Sequence, residues 1–219
     1  MLAFHDVSLQ GWLFVTRFGE MQMLLPAALC AILILSRKDA TRPLAIGWFA
    51  SLALASLVTT ASKVAFIGWG IGLPEIDFTG ISGHAMFAMA VYPLLFATLA
   101  SQLAPQYQRV SVAAGFVLAL LVGQSRLEID VHSVSEVVAG AMVGGAASLT
   151  VLIKNSLPRA SASLLVGVIL AGFFGLSLLN APQVNPHSWV TQLSLKLSGA
   201  TSPFTRENIR KLQLSPLQL

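Results

Sequence analysis

Charge is scarce in this chain. Of 219 residues, 13 are Lys or Arg and nine are Asp or Glu, so charged side chains make up 10% against 55% hydrophobic. Soluble domains average about 25% charged residues. A chain this poor in charge cannot cover a water-facing surface, which excludes an ordinary soluble enzyme. Cysteine is nearly absent: Cys30 stands alone in an apolar run. One cysteine cannot form an intrachain disulfide, and no Cys/His spacing suits a zinc site. Basic runs interleaved with aromatics are missing too, so the net charge of +4 does not point to nucleic acid as a partner. The N-terminal segment MLAFHDVSLQGW has no basic n-region and no small-residue cleavage site. The first spans are therefore expected to act as an uncleaved insertion signal.

Long apolar runs are what the chain does have. A spanning helix takes about 20 apolar residues. Six segments qualify: 18–36, 43–63, 84–103, 109–125, 133–153 and 160–181. Each is bounded by charge, Gly or Pro, and none shows the short alternating pattern of a barrel strand. The expected fold is all-α, a polytopic transmembrane helical bundle of about six spans. Residues 1–17, with Trp12, Phe14 and Arg17, read as an interfacial helix, and 182–219 as a polar tail. Gly140 and Gly144 are spaced to let helix backbones approach closely, and packing is their expected role.

Lys and Arg in short loops set orientation. The loops 36–43, 103–109 and 154–159 hold Arg37, Lys38, Arg42, Arg109, Lys154 and Arg159 against Asp39 alone. The loops 64–83 and 125–133, with the residues bordering them, hold Lys63 and Arg126 against Glu75, Asp77, Glu128, Asp130 and Glu136. The first set is expected in the cytoplasm and the second outside.

Unusual residues gather at the outer helix ends. Lys63 ends the second predicted span, Ser82-Gly83-His84 opens the third, Ser125-Arg126 closes the fourth, and His132 and Glu136 open the fifth. Ionisable groups near membrane depth are costly and usually have partners or a task. A helix N-terminus beside Ser82 and Gly83 favours an anion, and Arg126 can fork two phosphate oxygens. His132 and Glu136, four residues apart, share a helix face, so the carboxylate can orient the imidazole. Each residue also has a plainer reading. Ser82 could cap its helix, Ser133 and Glu136 match a capping box, Lys63 could snorkel, and Arg126 could pair with Glu128 or Asp130. Their coincidence at one face favours a phosphate-handling site with no metal or other cofactor, the side chains supplying the positive charge.

The order of these residues resembles the signatures of the type 2 phosphatidic acid phosphatase (PAP2) superfamily. Ser125-Arg126, five residues, His132, three residues and Glu136 resemble the third signature, which ends in Asp. Ser82-Gly83-His84 resembles the second, Pro-Ser-Gly-His, with Ile81 in place of the Pro. Lys63 stands where the first begins, but Gly70 and Ile71 occupy the positions of its Arg-Pro. The resemblance covers about residues 20–153. It implies a metal-independent lipid phosphatase of a bacterial inner membrane, with its site facing the periplasm. His132 would be the nucleophile, Glu136 its orienter and His84 the acid. Lys63, Ser82, Gly83, Ser125 and Arg126 would bind substrate. The partner would be a phosphorylated membrane lipid: a polyprenyl pyrophosphate, phosphatidylglycerophosphate, phosphatidate or a lipid A phosphate. A phosphotransferase of the same fold and an inactive lipid-binding or scaffold relative are the alternatives, the latter favoured by Gly70 and Ile81.

Overall fold

The structure is a computed structural model that describes residues 2–155 and 186–208. Among them the chain forms α1 (Leu2–Arg17), α2 (Met21–Ser36), α3 (Arg42–Trp69), α4 (Gly83–Leu103), α5 (Gln108–Glu128), α6 (Val134–Lys154) and α7 (Pro186–Ser198). Single 3-10 turns lie at Pro74–Ile76 and Pro105–Tyr107. Among these residues there is no strand, only an isolated bridge between Leu73 and Phe78. The fold is the helical bundle expected. Five stretches are long and apolar enough to cross a membrane: Leu9–Ser36, Arg42–Trp69, Gly83–Ser101, Pro105–Glu128 and Val134–Lys154. The sixth predicted span, 160–181, lies outside the described residues.

α4 is the centre. Its residues from Ala85 to Leu95 are buried on every side, as expected of a helix apolar all round. α2, α3, α5 and α6 surround it. Their outer faces stay apolar and exposed, with Leu33, Phe49, Leu57, Val117, Leu120, Met142 and Ile153 among them. Apolar surface this extensive, uncovered by any other described residue, is what lipid covers.

Glycines set how closely the helices meet. A Cβ at Gly140 would lie 2.6 Å from the Ser82 carbonyl oxygen and 3.1 Å from the Ala85 Cβ. One at Gly144 would collide with the Met86 backbone. The Gly140–Gly144 pair thus draws α6 onto the first turns of α4. Gly115 does the same for α5, where a Cβ would meet the Tyr92 carbonyl and the Pro93 backbone at 2.7 Å.

Two boundaries differ from the expectation. α3 does not stop at Lys63 but runs on through the apolar Val64–Trp69 to a left-handed cap at Gly70. At 1.5 Å per residue, Lys63 lies about 32 Å along the helix from Arg42, roughly one hydrocarbon thickness. Lys63 is thus a residue within the helix and not its end. At the N-terminus the helix breaks at Phe18–Glu20, near the predicted boundary, but the apolar stretch already begins at Leu9. α1 packs on α5, and the Tyr92 hydroxyl donates to the Phe18 carbonyl at 2.7 Å, fixing the break against α4.

Candidate active site

Four helix ends meet at one end of the bundle. The loop before α4 joins three of them. The Ile81 N–H donates to the Ser62 hydroxyl of α3 at 3.0 Å, and the Ser82 N–H donates to the Glu136 carbonyl of α6 at 3.1 Å. A proline at position 81 has no N–H and could not make the first bond. The Ile81 that departs from the family signature is thus tied to Ser62 and buried in the core.

The α5–α6 connection explains the spacing from Arg126 to His132. The Arg126 carbonyl accepts from the Val131 and His132 N–H groups at 3.2 and 3.3 Å. Asp130, at φ 54°, supplies the left-handed residue that closes the turn. Ser133 then caps α6 in a capping box with Glu136. The plain reading of Glu136 and the functional one hold together. The same carboxylate that caps the helix reaches His132 Nδ1 at 2.6 Å.

Glu136 is fully buried and crowded with donors. Its Oε1 accepts from the Thr79 N–H at 2.8 Å and the Thr79 hydroxyl at 2.5 Å. Its Oε2 accepts from the Ser133 N–H at 3.2 Å. Arg206 Nη2 donates to both oxygens at 2.8 Å, while Arg206 Nη1 holds Asp77 at 2.7 Å. With Nδ1 on the carboxylate, the His132 ring is fixed and Nε2 is its free nitrogen.

His84, Arg126, His132 and Lys63 lie within electrostatic reach of one another. Lys63 also feels Glu136. Among the described residues neither the Lys63 nor the His84 side chain has a hydrogen bond or ion pair. Arg126 does not pair with Glu128, which takes Gln124; its Nη1 donates to the Thr16 hydroxyl of α1 at 2.6 Å. Gly19 makes room for His84, because a Cβ there would stand 3.0 Å from its ring. Two buried polar atoms of the cluster lack any partner: the Ser82 hydroxyl and Arg126 Nε. Ser82 is the N-cap residue of α4, yet its side chain makes no capping bond. Buried donors are rarely left unpaired without a reason. Gly83 has open space where a Cβ would stand. The Ser125 hydroxyl, by contrast, donates to the Val122 carbonyl at 2.6 Å, so its proton is used within α5.

Burial holds the His132 imidazole below the ordinary histidine range, against the pull of its bond to Glu136. The ring is therefore neutral near pH 7 and its free nitrogen carries a lone pair. Among the described residues no group of three His, Cys, Asp or Glu could hold a metal ion.

Three contributors were not foreseen: Thr16, Thr79 and Arg206. Thr79 sits in the loop leading to Ser82 and carries no spacing signal. Thr16 and Arg206 come from segments read as an interfacial helix and a tail.

The sequence that builds this site matches a known family. Residues 44–159 match the family model of the PAP2 superfamily. The chain is also 33% identical over 205 residues to an uncharacterized 22.5 kDa protein in the cps region of Klebsiella pneumoniae. That match covers 92% of this chain and 98% of the relative. No solved structure matches. The chain belongs to the PAP2 superfamily, a family of phosphatase-type activity, and is a multi-helix membrane member of it.

Proposed function

We propose that this chain is a lipid phosphatase that cleaves a phosphomonoester or pyrophosphate through a phosphohistidine at His132, without a metal ion. The observation that carries the reading is an imidazole anchored at Nδ1 by a buried carboxylate, beside Lys63 and Arg126 and two unpartnered buried polar groups. Positive charge in excess, with donors unpaired, suits an anion. A neutral histidine held at one nitrogen suits attack by the other.

In this mechanism His132 Nε2 attacks phosphorus while the bond to the leaving oxygen breaks. His84 gives that oxygen its proton. Lys63, Arg126, the Ser82 hydroxyl and the Gly83 N–H hold the phosphate oxygens, the last at the start of α4 where free N–H groups favour an anion. Arg126 Nε and the Ser82 hydroxyl would find in the phosphate the acceptors they lack. Water then attacks the phosphohistidine, His84 takes up its proton, and the P–N bond breaks to release phosphate. Glu136 stabilises the imidazolium character that develops as His132 bonds to phosphorus.

The substrate is proposed to be a phosphorylated membrane lipid, because the site lies at the end of helices whose outer faces are apolar. An outward site in a bacterial inner membrane is supported by the basic links Arg37–Arg42 and Arg109, which fall at the opposite end of the bundle. The test is phosphate release from diacylglycerol pyrophosphate or undecaprenyl pyrophosphate in detergent with EDTA. Wild-type protein should release phosphate and His132→Ala should not. Release undiminished by this substitution would overturn the mechanism.

A further inference from the structure

The C-terminal segment after α7 is built into the site. α7 packs on the last turns of α3, where Gly68 leaves room for the Ser194 carbonyl and Ser198, and Val190 covers Phe66 and Ile67. The chain then crosses the end of α3. The Phe204 N–H donates to the Ile67 carbonyl at 2.9 Å, and the Phe204 ring lies where a Cβ on Gly70 would be, 2.9 Å from its Cδ1. Thr205 starts a short turn, with its N–H and hydroxyl both donating to Asn208 Oδ1 at 2.8 and 2.6 Å. Arg206, the next residue, is thereby directed at the buried carboxylate of Glu136.

We propose that Arg206 is a positioning residue of the active site: it fixes Glu136 and offsets part of its charge, so that His132 is aimed but not over-protonated.

The geometry separates this role from phosphate binding. Arg206 approaches the carboxylate that lies on the Nδ1 side of His132, whereas attack uses Nε2. Its two terminal nitrogens are already engaged, Nη2 by Glu136 and Nη1 by Asp77, with Nη2 also 3.4 Å from the Thr79 hydroxyl. A double contact from Nη2 leaves the carboxylate little freedom to rotate away from the imidazole. Glu is one methylene longer than the Asp of the family signature and has one more rotor. The additional guanidinium restrains that rotor.

The electrostatic consequence has a sign. His132 is faced by Glu136 from α6, Lys63 from α3, Arg126 from α5, His84 from α4 and, through Glu136, Arg206 with Asp77. Glu136 favours a proton on His132, and a cation on Glu136 weakens that pull. Removing Arg206 should therefore raise the pKa of His132, by about one unit for a charge at this range. A merely structural tail contact would not move that titration.

The experiment follows the histidine rings of the full-length protein in detergent by NMR, with labelled histidine. The His132 signal is assigned by its loss in His132→Asn. Arg206→Gln should shift the His132 titration upward by about one unit, and Arg206→Lys, which keeps the charge but loses the fork, by less. Should the glutamine variant not fold, the lysine variant carries the test. Unchanged titration in a folded variant overturns the inference. The catalytic half rests on the phosphatase reading. In the lipid phosphate assay Arg206→Gln should lower kcat about tenfold, as loss of a supporting partner does, with KM little changed. A wild-type protein inactive on lipid phosphates, with the titration still shifted, would sink the phosphatase reading and leave the coupling standing. An active wild type with both titration and kcat unaffected by the variant would sink the coupling alone.

Discussion

Gly70 occupies the position at which the family signature has arginine, so Gly70→Arg restores that arginine and is a direct test of what replaced it. Gly70 caps α3 with φ at 70° and ψ at 16°. A residue with a Cβ costs roughly 1–2 kcal/mol in that left-handed conformation. The Cβ would also meet the Phe204 ring at 2.9 Å, closer than real Cβ contacts allow. The ring must move, and with it the bond from the Phe204 N–H to the Ile67 carbonyl is stretched. Phe204 is 39% exposed, so only part of its packing is at stake, and losing it adds about 1 kcal/mol. The total is about 2–3 kcal/mol, or a midpoint lowered by about 4–12 °C for a chain of this size. Thermal unfolding in detergent measures it. The strain and the clash separate in a double-mutant cycle with Phe204→Ala. In that background Gly70→Arg should cost only the backbone strain, leaving a coupling of about 1 kcal/mol. Phosphate release should fall, because displacing Phe204 draws Arg206 off Glu136. A Gly70→Arg variant at least as stable as the wild type, and more active, would refute the reasoning. It would show the site to be short of an arginine that the C-terminal segment does not replace.

Ser82→Ala removes a buried hydroxyl that has no partner in the free protein. Stability should be unchanged or slightly raised, while kcat/KM falls about 10- to 100-fold if that hydroxyl donates to a charged phosphate oxygen, a bond of about 1.5–3 kcal/mol. Equal losses of stability and activity, read from unfolding and phosphate release, would assign Ser82 to packing. The acid limb of kcat/KM should lie below pH 6.5, the ordinary histidine value, because burial depresses the His132 pKa and only its neutral form attacks. Activity is then retained as pH falls to that range and lost below it. Glu136→Gln removes the group that favours the proton and should move the limb to lower pH while reducing the plateau. Substrate ionisation is common to both proteins, so the difference between their profiles reports the enzyme.

Much of this architecture is legible along the chain. The apolar runs mark the spans because lipid demands about 20 apolar residues whatever the tertiary packing. The His132–Glu136 pair is legible because four residues along one helix is a local geometry. The capping box from Ser133 is legible for the same reason, and both readings apply to the one carboxylate. The end of α3 was not legible. A charge such as Lys63 resembles a helix terminus in sequence, while in space the helix carries it on through Val64–Trp69. Ser125 shows a similar limit: its place beside Arg126 says nothing of its hydroxyl, which bonds the Val122 carbonyl.

Two of the departures from the family signatures, Gly70 and Ile81, have one physical logic. Read as isolated losses, Gly70 and Ile81 suggest a decayed site. In space each has a partner that the residue of the family signature would not permit. The N–H of Ile81, which a proline would lack, donates to Ser62 19 residues away. The bare Cα of Gly70 admits the ring of Phe204, and two residues later Arg206 reaches a carboxylate 70 residues earlier in the chain. Such pairs leave no spacing to recognise, because their separation is set by how α7 returns to the end of α3. A tail that looks polar and idle therefore carries a guanidinium to the carboxylate that holds His132. In the proposed mechanism the arginine missing from position 70 is offset on the Nδ1 side of His132, through the orientation of the imidazole and not through a direct bond to substrate. In the proposed mechanism the phosphate is then held by Lys63, Arg126 and Ser82, and Arg126 Nε and the Ser82 hydroxyl are buried polar atoms without a partner among the described residues.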